Sequence, residues 1–139
     1  MKEIRFRAWD TENKCWTHIG HFALDSQGDV MVNDETQQVV HGNYYIKRFT
    51  SHGNRYIASQ FTGLKDKNGK EIYEGDIVKE WCSQRNGQGY WEFSVVRWNN
   101  DFVAFELDTR NTHSTRSLVI GSVKEVIGNI YETPELLTA

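Results

Sequence analysis

The 139-residue chain has one proline, two cysteines and no long apolar run. Each scarcity excludes something. Disordered chains are rich in proline or polar low-complexity sequence, so a folded protein is expected. Cys15 and Cys82 are too few for the disulfide framework that staples small secreted domains. No stretch approaches the ~20 apolar residues that cross a bilayer as a helix. The opening MKEIRFRAWD lacks the apolar stretch of a signal peptide. A cytoplasmic protein with free thiols and no membrane partner is the expectation. Charge is also modest: the formal net charge is -3, and 25% of residues are charged. That balance does not favour a whole-chain electrostatic grip on nucleic acid.

What the chain does have is aromatic surface. Aromatics make up 13% of residues, with five Trp, enough to build a core from a modest apolar count. They fall in alternating stretches, which read as strands. In EIRFRAW, Ile4, Phe6 and Ala8 share one face, and Arg5, Arg7 and Trp9 the other. CWTHIGHFAL, VMV at 30–32, QVVHGNYYIKRF and NRYIASQF suit a pleated surface and are separated by polar turns. A meander then follows through IVKEWC, YWEFSVVRW, FVAFEL, SLVIGS and VKEVIGNIYE. Trp91, Phe93 and Val95 are expected to fill its interior, and Val103, Phe105 and Leu107 to share a face. Short strands spaced by turn signals predict an all-β barrel or sandwich. Thr133 as N-cap and Pro134 at the first helical position predict one short C-terminal helical turn.

The centre carries the strongest turn signals. Asn68-Gly69 in FTGLKDKNGKEIYEGDIV, residues 61–78, predicts a type I′ hairpin turn. Glu74-Gly75-Asp76 predicts a second bend three residues later. Gly63, Gly69 and Gly75 tolerate unusual backbone angles, and Asp66, Asn68 and Asp76 are suited to bond turn amides. This block is expected to join an N-terminal β portion, residues 1–60, to a barrel portion, residues 61–139, packed as one compact unit.

IRFRAWD (4–10), the 61–78 block and VIGNIYETPELL (126–137) together resemble the YopX family, found mainly in bacteriophages and prophages. The resemblance implies a mostly-β protein whose later portion is an SH3-like β-barrel. It implies no cofactor and no catalytic residues to carry over, and suggests a phage-associated accessory protein.

Three constellations could carry chemistry. Cys15, His18 and His21 are possible soft-metal ligands, but their spacing does not converge along a strand and no fourth ligand follows. Segment 44–70 interleaves Lys47, Arg48, Arg55, Lys65, Lys67 and Lys70 with Tyr44, Tyr45, Phe49, Tyr56 and Phe61. That is the chemistry of single-stranded nucleic-acid binding, weighed against a simpler role as strand core and turn solvation. Ser51-His52, His113-Ser114 and the carboxylates of Asp10, Glu12 and Asp25 match no nucleophile–base or acid–base motif. The sequence therefore predicts a non-enzymatic binding or assembly module that uses an unknown host or phage protein, or a second copy of itself, as partner. A nucleic-acid-binding accessory protein using segment 44–70 is the rival.

Overall fold

The computed structural model describes residues 3–17, 22–27, 29–33, 39–41, 44–46, 49–51, 53–109, 115–118 and 124–138. The chain is mostly β, with 57% strand and almost no helix, as expected; among the described residues the one helical segment is a short 3-10 turn. It forms two compact units, Phe6–Ser59 and the remainder, which joins Met1–Arg5 to Gln60–Ala139.

The first unit begins with β1 (Phe6–Asp10) and β2 (Cys15–Trp16), an antiparallel pair in which Trp9 faces Trp16. Their rings meet edge to face, with centroids 5.0 Å apart. β3 (Phe22–Leu24), β4 (Val30–Asn33) and β7 (Phe49–Ser51) make a three-stranded sheet. β5 (Val39–His41) and β6 (Tyr44–Ile46) form a separate hairpin. Residues 38–49 therefore hold more than one short strand. NRYIASQF and the strand expected near Gln60–Leu64 are one continuous strand, β8 (Tyr56–Lys65), which runs from the first unit into the second.

The second unit is built on a curled, half-barrel sheet. β9 (Glu71–Tyr73) returns from the end of β8. β10 (Asp76–Ser83), β11 (Gly89–Asn99), β12 (Ala104–Thr109) and β13 (Thr115–Ser117) form an antiparallel meander. β14 (Glu125–Asn129) comes back to pair with β10, giving the order β13-β12-β11-β10-β14. Ile72, Val78, Val96, Leu107 and Val126 form the core, with Leu64, Phe105 and Leu118 packed against it. Each fully buried side chain of this kind contributes on the order of 2 kcal/mol by leaving water.

The turns follow the sequence closely but not always in type. Gly63, Gly69 and Gly75 all take positive φ. Asn68 does not, so the 66–70 turn is not type I′. Instead Gly69 donates its N–H to the Asp66 carbonyl (3.0 Å), and the Asp66 N–H bonds the Lys70 carbonyl (2.8 Å). The Asp66 carboxylate accepts from the Asn68 and Lys70 amides, at 2.8 and 2.9 Å, and selects this tighter geometry. One left-handed residue after a right-handed turn is the alternative hairpin solution, and glycine supplies it. The β10–β11 loop repeats it: Gly87 has φ +81, donates to the Gln84 carbonyl and closes the same pattern.

Two further expectations are corrected. In the turn between β11 and β12 the Asn99 side chain accepts from the amides of both Asp101 and Phe102. Val103 is left in the turn and exposed, away from the face of Phe105 and Leu107. Thr133 precedes the 3-10 turn Pro134–Leu137 but caps no helix amide. Its hydroxyl bonds the backbone of Asn129 instead, accepting from the N–H at 3.1 Å. Finally, Ile4, which alternation places on one face with Phe6 and Ala8, is exposed, whereas Ala8 is buried.

Candidate functional site

The residues singled out in the sequence divide into three groups. Lys47, Arg48, His18, His21, His52, His113 and Ser114 lie outside the described residues. Others are spent on structure. Arg55 grips Asp10 with two bonds, Nε to Oδ1 and Nη2 to Oδ2, each 3.0 Å, and reaches Glu12 at 3.2 Å. These bonds hold the buried Asp10 carboxyl well below the usual carboxylate range, against the opposing effect of burial. Asp10 also accepts from the amides of Glu12 and Asn13. Asp25 does not join them; it caps its own turn by accepting from Gln27 and Asp29. Arg55 also lies 5.0 Å over the Tyr56 ring, so neither offers a free phosphate or stacking contact of the kind the rival reading needs. Asp76 is buried and accepts from the Tyr73 amide at 2.8 Å.

The third group is exposed. Lys65, Lys67 and Lys70 project from the β8–β9 hairpin. The aromatic of segment 44–70 nearest to them in sequence, Phe61, is buried under the Arg5 guanidinium, which also pairs with Glu71. Phe61 is therefore in the interior while Lys65, Lys67 and Lys70 are on the surface. Cys15 and Cys82 are free thiols. Among the described residues, no group of three His, Cys, Asp or Glu side chains is placed to hold a metal ion.

The exposed aromatic surface lies elsewhere, on the outer face of β10 and β11. Trp81 and Trp91 are register partners, and their rings meet at 70° with centroids 5.2 Å apart. They remain 47% and 45% exposed. The pair is held in place from below by Gly89: a Cβ there would lie 2.4 Å from the Trp81 ring, so only glycine leaves room. Lys79, two residues before Trp81, sits 4.9 Å from the Trp91 centroid, within cation–π range. Lys67 and Lys79 both meet the Glu125 carboxylate at 3.5 Å. On β11 and β12, Arg97 bonds Asp108 at 3.0 Å. A paired positive and negative group, Lys79 and Glu125, thus lies beside the indoles.

The opposite face of the same strands corrects the expected orientation of β11. Glu92, Ser94 and Val96 point inward and are buried, while Trp91 faces out. On the same face Glu80, the register partner of Glu92, is paired with Lys124, whose Nζ approaches Glu80 Oε2 to 2.8 Å. Lys124 is itself buried. A buried charge needs such a partner. Of the residues expected inside, Val95 is buried and Phe93 half-buried, and Trp91 alone is exposed; sequence reasoning missed the polar cluster because it took these three apolar residues as the inner face. The available signal was the alternation Val78-Glu80-Cys82 against Glu92-Ser94-Val96, two halves of one polar-apolar surface.

A small cleft of about 230 Å³ opens where the Glu74–Gly75 bend meets β11 and the Ile130–Tyr131 turn. Gly75 donates its N–H to the Val96 carbonyl at 2.7 Å and accepts from the Ile130 N–H at 2.9 Å. Its missing side chain makes room for the Tyr131 ring, which would lie 3.0 Å from a Cβ.

The same blocks that form the 66–70 turn, the Glu74–Gly75 bend and the β14 return are matched, with nearly all the rest of the chain, by a family model. The model is that of the YopX protein, and it spans residues 5–138. The chain belongs to the YopX family. A crystal structure of protein EF1440 from Enterococcus faecalis is similar over 99% of each chain, with 26% sequence identity and a TM-score of 0.62. No curated protein matches this YopX-family chain.

Proposed function

We propose that the protein is a non-enzymatic binding or assembly module that self-associates through the outer face of β10 and β11. It would be encoded by a phage or prophage and act in the host cytoplasm. The carrying observation is the Trp81–Trp91 pair, ordered by Gly89 yet half exposed. Exposed, contiguous apolar surface of this kind marks an interface, and Trp is among the residues that dominate binding energy. A non-enzymatic role is supported by how the candidate carboxylates are used: Asp10, Asp25, Asp66 and Asp76 each accept from turn amides. Among the described residues, no helix is long and apolar enough to cross a membrane. The strand order, with β14 returning to the first strand of the meander, supports an SH3-like barrel for the later portion.

A second copy is favoured as the partner by charge. Beside the indoles Lys79 is paired with Glu125, so the face carries both signs, and a two-fold contact is the commonest closed arrangement for such a surface. Covering both indoles removes roughly 200 Å² per protomer, or roughly 10 kcal/mol in a dimer, at ~25 cal/mol/Å². Association itself costs about 4–15 kcal/mol, which leaves at most about 6 kcal/mol, so weak pairing, with a dissociation constant of about tens of micromolar at the tightest, is expected. Sedimentation equilibrium at protein concentrations around and above that value checks this. The parent should exceed monomer mass, and a Trp81→Ser, Trp91→Ser variant should not. A monomeric parent would overturn the proposal. So would a salt-sensitive mobility shift with single-stranded DNA that the same variant loses, which would assign the face to nucleic acid instead.

A further inference from the structure

The cleft beside the Glu74–Gly75 bend carries a recognition chemistry of its own. Its volume, about 230 Å³, lies below the roughly 300–1,000 Å³ of pockets for drug-sized ligands, so it suits one side chain. Two of its walls are aromatic. Trp98 is fixed from two sides, by edge-to-face contact with Phe105 at 5.0 Å and by its Nε1–H donating to Asn100 at 2.9 Å. Tyr131 rests on Gly75. The backbone at the floor offers no ready donor to an anion, because the Gly75 N–H is committed to Val96.

Two charged groups line the cleft, Glu74 and Arg97. Arg97 is engaged by Asp108 on the neighbouring strand, its Nε donating at 3.0 Å. Burial pushes the Glu74 carboxyl up, and the attraction of Arg97 offsets only part of that. Another cation in the cleft would stabilise the carboxylate further, and aromatic walls favour cations by their ring faces.

We infer that this cleft receives an arginine or lysine side chain of a partner protein, with Glu74 as its counter-ion and Trp98 and Tyr131 as its walls. The inference rests on reading the chain as a binding module, but uses a different surface from the Trp81–Trp91 pair. An acidic side chain would be repelled by Glu74, and an aliphatic one would leave Glu74 without the added counter-ion.

Titration of ¹⁵N-labelled protein with N-acetyl-arginine amide and N-acetyl-lysine amide tests it, with the glutamate and leucine amides as controls. The basic compounds should shift the Gly75 amide and the Trp98 indole N–H, saturating in the millimolar range expected of a single side chain. Glu74→Gln should weaken them at least tenfold while leaving the remaining spectrum in place. Absence of shifts with the basic amides, equal shifts with the controls, or undiminished binding to Glu74→Gln would overturn it. Shifts confined to Trp81 and Trp91 would also overturn it while leaving the module reading intact. Saturable, Glu74-dependent shifts in a protein that sediments as a monomer would support the cleft and count against self-association alone.

Discussion

Asp66→Ala should be among the most damaging single substitutions in the second unit. One buried carboxylate serves three backbone amides. Oδ1 accepts from Asn68 and Lys70, and Oδ2 from Val126 at 3.0 Å. The first two shape the β8–β9 turn, and the third ties that turn to β14, sixty residues away in sequence. A backbone bond from the Lys67 N–H to the Lys124 carbonyl, 3.0 Å, lies alongside. Hydrogen bonds to charged groups contribute about 1.5–3 kcal/mol each, with incomplete additivity, so the loss should be about 3–4 kcal/mol. That corresponds to a fall in Tm of roughly 10–15 °C for a chain of this size. Thermal unfolding followed by circular dichroism reads it. A fall of less than a few degrees would mean that the Val126 bond carries little.

Asp66 also gives stability a sign with pH. Burial alone would raise its pKa, but the amides of Val126, Lys70 and Asn68 outweigh burial and hold it below the usual carboxylate range. A depressed folded pKa adds stability that is fully present above the unfolded value, near ~4, and disappears as pH falls through the folded value. Asp66→Ala should therefore flatten the loss of stability on acidification below about pH 4.

Gly75→Val should be equally severe, for a different reason. Gly75 has φ +86, which an L side chain rarely adopts. A left-handed conformation costs ~1–2 kcal/mol, and overpacking typically another 1–3 kcal/mol. Here the added Cβ meets the Tyr131 ring at 3.0 Å, and the backbone cannot retreat without breaking the bonds to Val96 and Ile130. The expected cost is about 3–5 kcal/mol. Gly69→Val provides the control: φ is +81, but a Cβ there meets nothing within 4 Å. Only backbone strain remains, about 1–2 kcal/mol. Urea unfolding of the two variants should separate them clearly; equal losses would mean that the Tyr131 contact costs nothing.

These residues also mark what could be read from the sequence. Glycine and aspartate positions in the 61–78 block were legible because turn chemistry is local: φ preference and short side-chain bonds depend on a few neighbours. The helical turn at Pro134 was legible for the same reason. The turn type at Asn68 was not, because it depends on which amides Asp66 reaches. The facing of β11 was not fully legible because hydrophobic size is a local cue, whereas the polar inner face pairs Glu80 with Lys124, a residue distant in sequence. The position of Phe61 within the basic-aromatic segment 44–70 was not legible for a related reason. Proximity in sequence placed Phe61 and Lys65 together, but strand alternation and packing put one inside and the other outside. The indole pair that does reach the surface is assembled from β10 and β11, ten residues apart, and becomes visible only once the register is known.

The most direct measurement of the central claim is fluorine NMR on protein labelled with 5-fluorotryptophan, recorded over a dilution series through the micromolar range. Trp9 is buried and provides an internal reference. If the outer face of β10 and β11 is where copies meet, the Trp81 and Trp91 resonances, assigned by single substitution, shift with concentration while Trp9 stays fixed. Trp81 and Trp91 resonances that hold their positions throughout, in a protein whose mass also does not change, would contradict the account.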